Sequence, residues 1–336
     1  MKNIAIIGIG AWGGNLLRNY FNLSSGHLVL ACDTDEKRLA AAKSAYPGLE
    51  TATDYMDILK RDDIGAVVIA TPPAQHYQQA MTFLETGRDV FVEKPLALSV
   101  EDGRKLVDKA EEKKAILMVG HIMVYHPATL YLKKLLDSGV LGDIYYLYSN
   151  RVNLGKVRDV ENALWSFAPH DISIILHLLE EDPVRVTATG SSYLRKGIED
   201  VAFMVLYFED GKMAHVHVSW LDPHKIRQLT VVGSKKMVVF DDAGAAEKIR
   251  IYDKGIDQKQ NYDTYGEFLT LRTGDILIPK IPSVEPLAEE CRHFLNALES
   301  RERPTSDGYE ALKVLKVLDA AQKSLEAGGT PVHISK

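Results

Sequence analysis

Hydrophobic positions in the first third of the chain come in short unbroken runs. Ile4 to Ile7, Leu28 to Cys32, Ala66 to Ala70, Val90 to Val92 and Ala115 to Val119 are mostly β-branched and small apolar residues, the pattern of strands covered on both faces. Longer stretches with helical spacing lie between them: Asn15 to Phe21, His76 to Thr86 and Val100 to Lys113. This alternation predicts an α/β fold with a parallel, doubly wound sheet.

From Ile144 the pattern changes. Ile144 to Val152, Val184 to Thr189, Val201 to Phe208, Met213 to Trp220, Ile226 to Val232 and Lys236 to Phe240 read as strands. Short turns such as Glu209-Asp210-Gly211-Lys212 make consecutive strands antiparallel. A helix is expected from Pro169 to Glu180, polar irregular chain from Asp241 through Thr273, and helices over Pro286 to Glu299 and Asp307 to Glu326. The expected division is 1–122 and 123–336, the second part being an α/β domain with an open, mainly antiparallel sheet and a last helix able to pack back on the first. Alternation leaves one sheet face polar and aromatic, open to a substrate or a second subunit.

Between the first strand and first helix stand Gly8, Gly10, Ala11, Trp12 and Gly13, and Asp33 closes the second strand about 20 residues past Gly13. Glycines let the backbone approach a pyrophosphate, a helix N-terminus faces its charge, and the acid accepts from an adenosine ribose, so the spacing fits a dinucleotide. NAD is favoured because Asp33 repels a 2′-phosphate, while Lys37 and Arg38 leave NADP open. Two further strand ends face the same crevice: Thr71 and Pro72 leading to His76, and Glu93-Lys94-Pro95. A lysine held there can orient a substrate hydroxyl and, with a lowered pKa, help take up its proton. His121 and His126 follow the fifth strand, and both lining the site and packing at the join of the domains remain open for them.

The net charge of −6, with Lys and Arg scattered, gives no reason to expect nucleic acid or a membrane surface as partner, and a small molecule is the better default. No apolar run approaches the roughly 18 residues of a membrane span, and the N-terminus enters the glycine turn directly, so a soluble, cytoplasmic protein is expected. Cys32 and Cys291 read as reduced, buried thiols. His215 and His217 share a strand face, but with no third ligand evident, cross-strand packing is the better reading and no metal is expected.

Gly8-x-Gly10-x-x-Gly13, Ala70-Thr71-Pro72-Pro73-x-x-His76, Val92-Glu93-Lys94-Pro95 and Gly120-His121-x-x-x-Tyr125-His126-Pro127 together resemble the glucose-fructose oxidoreductase / inositol dehydrogenase / rhizopine-catabolism (Gfo/Idh/MocA) family over nearly the whole chain. The resemblance implies an N-terminal Rossmann domain and a C-terminal α/β domain. The open antiparallel sheet of that second domain binds substrate on one face and often a neighbouring subunit on the other, making a homodimer or homotetramer. It also implies nicotinamide-dependent redox chemistry at a sugar or cyclitol carbon, with Lys94 as the catalytic lysine and His170 as the active-site histidine. Where the family has an aspartate four residues before that histidine, this chain has Ser166, and Asp171 is the nearby candidate to compensate.

The segment from Glu161 to Ser173, with Asn153, Lys156 and Arg158 ahead of it, looks like a subgroup acting on nucleotide sugars in surface-polysaccharide pathways. Tyr125, Asn153, Lys156, Arg158, Trp165 and Asp171 are accordingly expected at the substrate, and Arg151, Lys156 and Arg158 can meet a phosphate or carboxylate. A free cyclitol or aldose is the alternative substrate, and a non-catalytic NAD-bound sensor a further one. Pro169 suits a first helical position, which would put His170 in the first turn, where the helix dipole disfavours imidazolium.

Overall fold

The computed structural model describes residues 2–25, 27–155, 157–159, 161–244, 246–258 and 269–334. Two compact units emerge. The first joins Met1–Tyr125 with Val284–Leu315, and the second joins His126–Ser283 with Lys316–Lys336. This differs from a single cut after residue 122, because Val284–Leu315 returns to the first unit.

The first unit is built on strands β1 (Asn3–Ile7), β2 (Leu28–Cys32), β3 (Glu50–Ala52), β4 (Ile64–Ile69), β5 (Asp89–Glu93) and β6 (Leu117–Gly120). They form one parallel sheet in the order β3-β2-β1-β4-β5-β6. Helices α1 (Gly13–Leu23), α2 (Glu36–Ala45), α3 (Pro73–Glu85) and α4 (Val100–Lys113) connect the strands. The strand order reverses between β1 and β4, and in such sheets the crevice beyond the carboxyl ends at that switch point receives the ligand.

The reason for the return of residues 284–315 is legible in helix α7 (Pro286–Ser300). Its buried residues Leu287, Cys291, Phe294 and Leu298 fall on one stripe. Phe294 meets Phe91 of β5 at 5.7 Å and Tyr20 of α1 at 6.3 Å, ring centre to ring centre, so α7 completes the apolar layer on one face of the parallel sheet. Helix α8 (Gly308–Glu326) begins in the first unit, where Leu312 joins the layer on the other face, and continues into the second.

The second unit holds a nine-stranded sheet. In chain order its strands are β7 (Ile144–Val152), β8 (Arg185–Ser191), β9 (Val201–Tyr207), β10 (Met213–Ser219), β11 (Ile226–Gly233), β12 (Met237–Asp241), β13 (Ile249–Gln258), β14 (Leu269–Leu277) and β15 (Val332–His333). Their order in space is β14-β13-β12-β11-β7-β10-β9-β8-β15, antiparallel throughout except for the parallel pair β7 and β10. Helix α5 (Pro127–Asp137) precedes the sheet, and α6 (Ala163–Leu179) covers the face that buries Leu147, Met204, Leu206, Val216 and Val218.

Two expectations change here. The stretch expected to be irregular from Asp241 contains β13 and β14, whose alternation was hidden by polar residues on a strand pair at the sheet edge, where Ile256 and Leu271 stay exposed. The helix expected to begin at Pro169 begins at Ala163, capped by Asn162, whose side-chain oxygen accepts from the Trp165 N–H at 3.1 Å. Pro169 lies inside this helix, so it cannot donate to the Trp165 carbonyl, and His170 is well past the first turn. The helix-dipole argument for a neutral His170 therefore does not apply.

Candidate active site

The glycine turn follows β1 directly. Gly8 has φ of +84°, and a Cβ there would come within 2.8 Å of the Ala70 carbonyl oxygen at the end of β4. A Cβ on Gly13 would overlap the Gly8 carbonyl oxygen, so neither position tolerates a side chain. Helix α1 opens at the turn with no side-chain cap, its Gly14 and Asn15 N–H groups closing onto the Gly10 and Trp12 carbonyls at 2.8 and 2.9 Å, and the positive end of its dipole suits an anion. At the end of β2 the Asp33 carboxylate accepts from the Ile9 N–H at 2.8 Å and the Asp35 N–H at 2.9 Å, with the Arg38 guanidinium at 3.5 Å. A tight turn free of side chains and a fixed acid at the expected distance in sequence fit NAD. Arg38 reaches within 3.6 Å of where a Gly10 Cβ would stand, a cation at the rim of the same turn.

The other residues expected at the cofactor divide into those left at least partly exposed and those that are buried. Ala11 and Trp12 are exposed in the turn, and Lys94 is half-buried just past β5. His76 is buried and does not face a ligand: its two ring nitrogens lie 2.8 Å from the carbonyl oxygens of Thr71 and Pro95, tying the turns after β4 and β5 together. Burial holds its pKa below the ordinary histidine value, outweighing the two carbonyls. The Thr71 hydroxyl donates to Gln79 at 2.7 Å, and Pro72 sits at the start of α3. Glu93 is also turned inward, accepting from the Trp12 indole N–H at 2.6 Å and the Lys94 N–H at 3.2 Å. His121 is buried with no partner on either ring nitrogen among the described residues; burial, with Lys94 adding to it, brings its pKa down to about 3.

Several expected substrate residues are occupied elsewhere. The Tyr125 hydroxyl pairs with the Ser306 hydroxyl at 2.8 Å and accepts from the Ser306 N–H at 3.1 Å, fastening the chain after β6 to the segment before α8. Asp171, 2% exposed, is gripped by Arg151 through Nε at 2.6 Å and Nη2 at 3.2 Å. Both of its oxygens serve that buried pair, so Asp171 does not stand in for the aspartate that Ser166 replaces, and Arg151 is not available to a substrate phosphate. The Trp165 indole donates to Gln322 at 3.2 Å. Asn153 is half-buried in the loop after β7, its backbone held by Ser219 and Asp222. Arg158 is exposed, 3.4 Å from Glu161, and Lys156 lies outside the described residues. His170 is half-buried on α6.

His126 caps α5, accepting from the Ala128 N–H at 3.0 Å, with Asp242 at 3.6 Å. Phe203 stacks on His217 at 4.3 Å and on His215 at 6.3 Å. Among the described residues no three His, Cys, Asp or Glu side chains gather as a metal site, and no helix is long and apolar enough to cross a membrane.

A sequence profile described as an oxidoreductase family with an NAD-binding Rossmann fold matches residues 2–121, and that family's C-terminal domain profile matches residues 129–239. The chain belongs to this Gfo/Idh/MocA family. Among its relatives are a 2,7-anhydro-N-acetylneuraminate hydratase of Mediterraneibacter gnavus, 28% identical over 64% of this chain and 61% of its own length. An inositol 2-dehydrogenase of Salmonella typhimurium is 28% identical over 97% of this chain and 95% of its own. The match spans 61% of the length of the first curated relatives. A solved UDP-N-acetylglucosamine 3-dehydrogenase from Acidithiobacillus ferrooxidans shares the fold with a TM-score of 0.81 at 23% identity, covering 97% of each chain. The family model over residues 2–121 is that of an NAD-binding Rossmann fold, and the glycine turn and Asp33 lie within that span.

Proposed function

We propose that this protein is an NAD-dependent dehydrogenase or reductase acting at a hydroxyl or keto carbon of a sugar, with a nucleotide sugar as substrate and a reaction such as 3-dehydrogenation, in the making of surface polysaccharides. The observation that carries the reading is the pairing, in one unit, of an NAD-fitting turn with a lysine at the end of β5. When bound, the nicotinamide accepts or returns a hydride. The chain's own work is to hold the sugar and move the hydroxyl proton. Lys94 orients the hydroxyl, and His170 takes the proton. Ser166, buried on α6, cannot share that proton, and Asp171 is committed to Arg151.

Arg158, exposed after β7, supports an anionic substrate, a role that falls to it and Lys156 once Arg151 is taken up by Asp171. The inositol dehydrogenase, aligned over nearly the whole chain, favours the second reading, a free cyclitol or aldose. The two are separated by following NAD reduction with a panel of nucleotide sugars, free sugars and cyclitols. Under the first reading Arg158→Glu raises KM for the nucleotide sugar about tenfold or more, the loss of one charge-assisted contact. Turnover of a neutral cyclitol, with KM unchanged by that substitution, would replace it.

The reading goes with a cytoplasmic protein whose thiols Cys32 and Cys291 stay reduced. It also goes with a homodimer or homotetramer formed by a second copy on the open sheet face, where Tyr146, Tyr148, Phe203 and Met213 are exposed.

A further inference from the structure

Two glutamates in the first unit are buried. Glu93 ends β5, and its carboxyl lies flat against Gly120 of the neighbouring strand, where a Cβ would come within 2.8 Å of Oε2. Glu290 occupies the inner stripe of α7 between Leu287 and Phe294 and is 0% exposed. Neither of its oxygens has a hydrogen-bond partner among the described residues, and no cation pairs with it. An ionised carboxylate so placed is strongly disfavoured, so Glu290 carries its proton. Glu93 differs: it receives the Trp12 indole N–H and the Lys94 N–H, and the Lys94 side chain favours its charge.

We propose that Glu93 carries the negative charge while the buried Glu290 stays protonated, and that Glu93, acting through the Trp12 indole, is a positioning residue for the glycine turn that receives the NAD pyrophosphate. Trp12 sits in that turn, 42% exposed, and its one polar atom is anchored inward on Glu93. The bond therefore links the turn after β1 to the end of β5, and it is strongest when Glu93 is ionised.

The groups around Glu93 leave it as the one that changes charge near neutrality. Burial raises Glu93 to about 7 and holds Glu290 well above the usual carboxylate range, with the Glu93 charge adding to the effect on Glu290. Burial also raises Tyr20 of α1, Tyr125 after β6 and Cys291 of α7, and it depresses His121 beyond the end of β6 to about 3. Lys94, on the same strand end, stabilises the ionised Glu93. NAD affinity is accordingly higher above pH 7 and falls as Glu93 takes up a proton.

The test compares tryptophan emission of the wild type and Trp12→Phe between pH 5 and 9, alongside NAD dissociation constants by calorimetry at pH 6 and 8. Trp165 and Trp220 remain in both proteins, so the difference reports Trp12. The expected result is a Trp12 transition near pH 7 and NAD binding several-fold tighter at pH 8. Glu93→Gln removes the transition and weakens NAD at pH 8 by about tenfold, the difference between a charged and a neutral acceptor. Glu290→Gln, neutral at every pH, leaves both the midpoint and the affinity unchanged. The idea is overturned by a wild type whose Trp12 emission and NAD affinity ignore pH. A midpoint that drops by a unit or more in Glu290→Gln also overturns it, since Glu290 would then have been ionised. The wild-type series needs no substitution and decides the matter even if a variant misfolds.

Discussion

Arg151 and Asp171 form a pair whose members are both nearly removed from water, and such a pair is costly to break on one side only. Arg151→Met strands the buried Asp171 carboxylate of α6, and chemical denaturation is expected to register a loss of about 3–5 kcal/mol; Arg151→Met with Asp171→Leu recovers most of it. Equal losses in the single and double variants would mean that the pair contributes nothing as a pair. His170 and Lys94 make a different prediction: His170→Asn and Lys94→Ala keep NAD binding and lose most turnover, and near wild-type kcat in either would remove that residue from the mechanism. His121 sets a pH dependence. Its folded pKa, near 3, lies below the unfolded value of about 6.5, so the native state binds fewer protons there and stability falls as pH drops from about 6.5 toward 3. His121→Leu should flatten that acid limb of Tm against pH; an unchanged limb would contradict it.

At the scale of elements, the turn from β1 into α1 depends on two residues without side chains. Gly13→Ala places a methyl group where the Gly8 carbonyl oxygen stands, so the start of α1 must move away from the crevice. NAD affinity should fall by about a hundredfold or more while most helical content in circular dichroism persists, since the other helices do not depend on this contact. Retention of wild-type affinity would show that the turn adapts freely. Helix α6 carries a different lesson. Asn162 and not Pro169 decides where it begins, because a side chain that satisfies an orphan N–H outweighs a proline that is merely suited to a first turn.

For the molecule as a whole, the decisive feature is a nine-stranded sheet with one face under α6 and the other carrying Tyr146 and Tyr148, stacked at 6.3 Å, beside Phe203 and Met213. The homo-oligomer proposed above would place a second copy on this face, over these exposed rings. Phe203→Glu should lower the sedimentation mass to that of a monomer with NAD binding intact; an unchanged mass would move the interface elsewhere.

Much of this protein is determined by sequence alone. Unbroken apolar runs made β1, β2, β4, β5 and β6 recognisable, because strands buried on both faces must be apolar throughout. The glycine turn and Asp33 were visible for a similar reason: close backbone approach admits only certain residues at certain spacings. Tertiary structure alone decided what each polar side chain does. Glu93 and His76 looked like cofactor contacts and Asp171 like an acid, yet Trp12, the Thr71 and Pro95 carbonyls, and Arg151 claim them. Those partners lie from five to more than eighty positions away along the chain. The spacing of a motif records which residues share a strand end or a helix, whereas hydrogen bonding and burial depend on which distant segment folds against it. The same holds for α7, whose stripe could be read as amphipathic but whose surface of contact, the sheet that begins some 280 residues earlier, only the fold could supply.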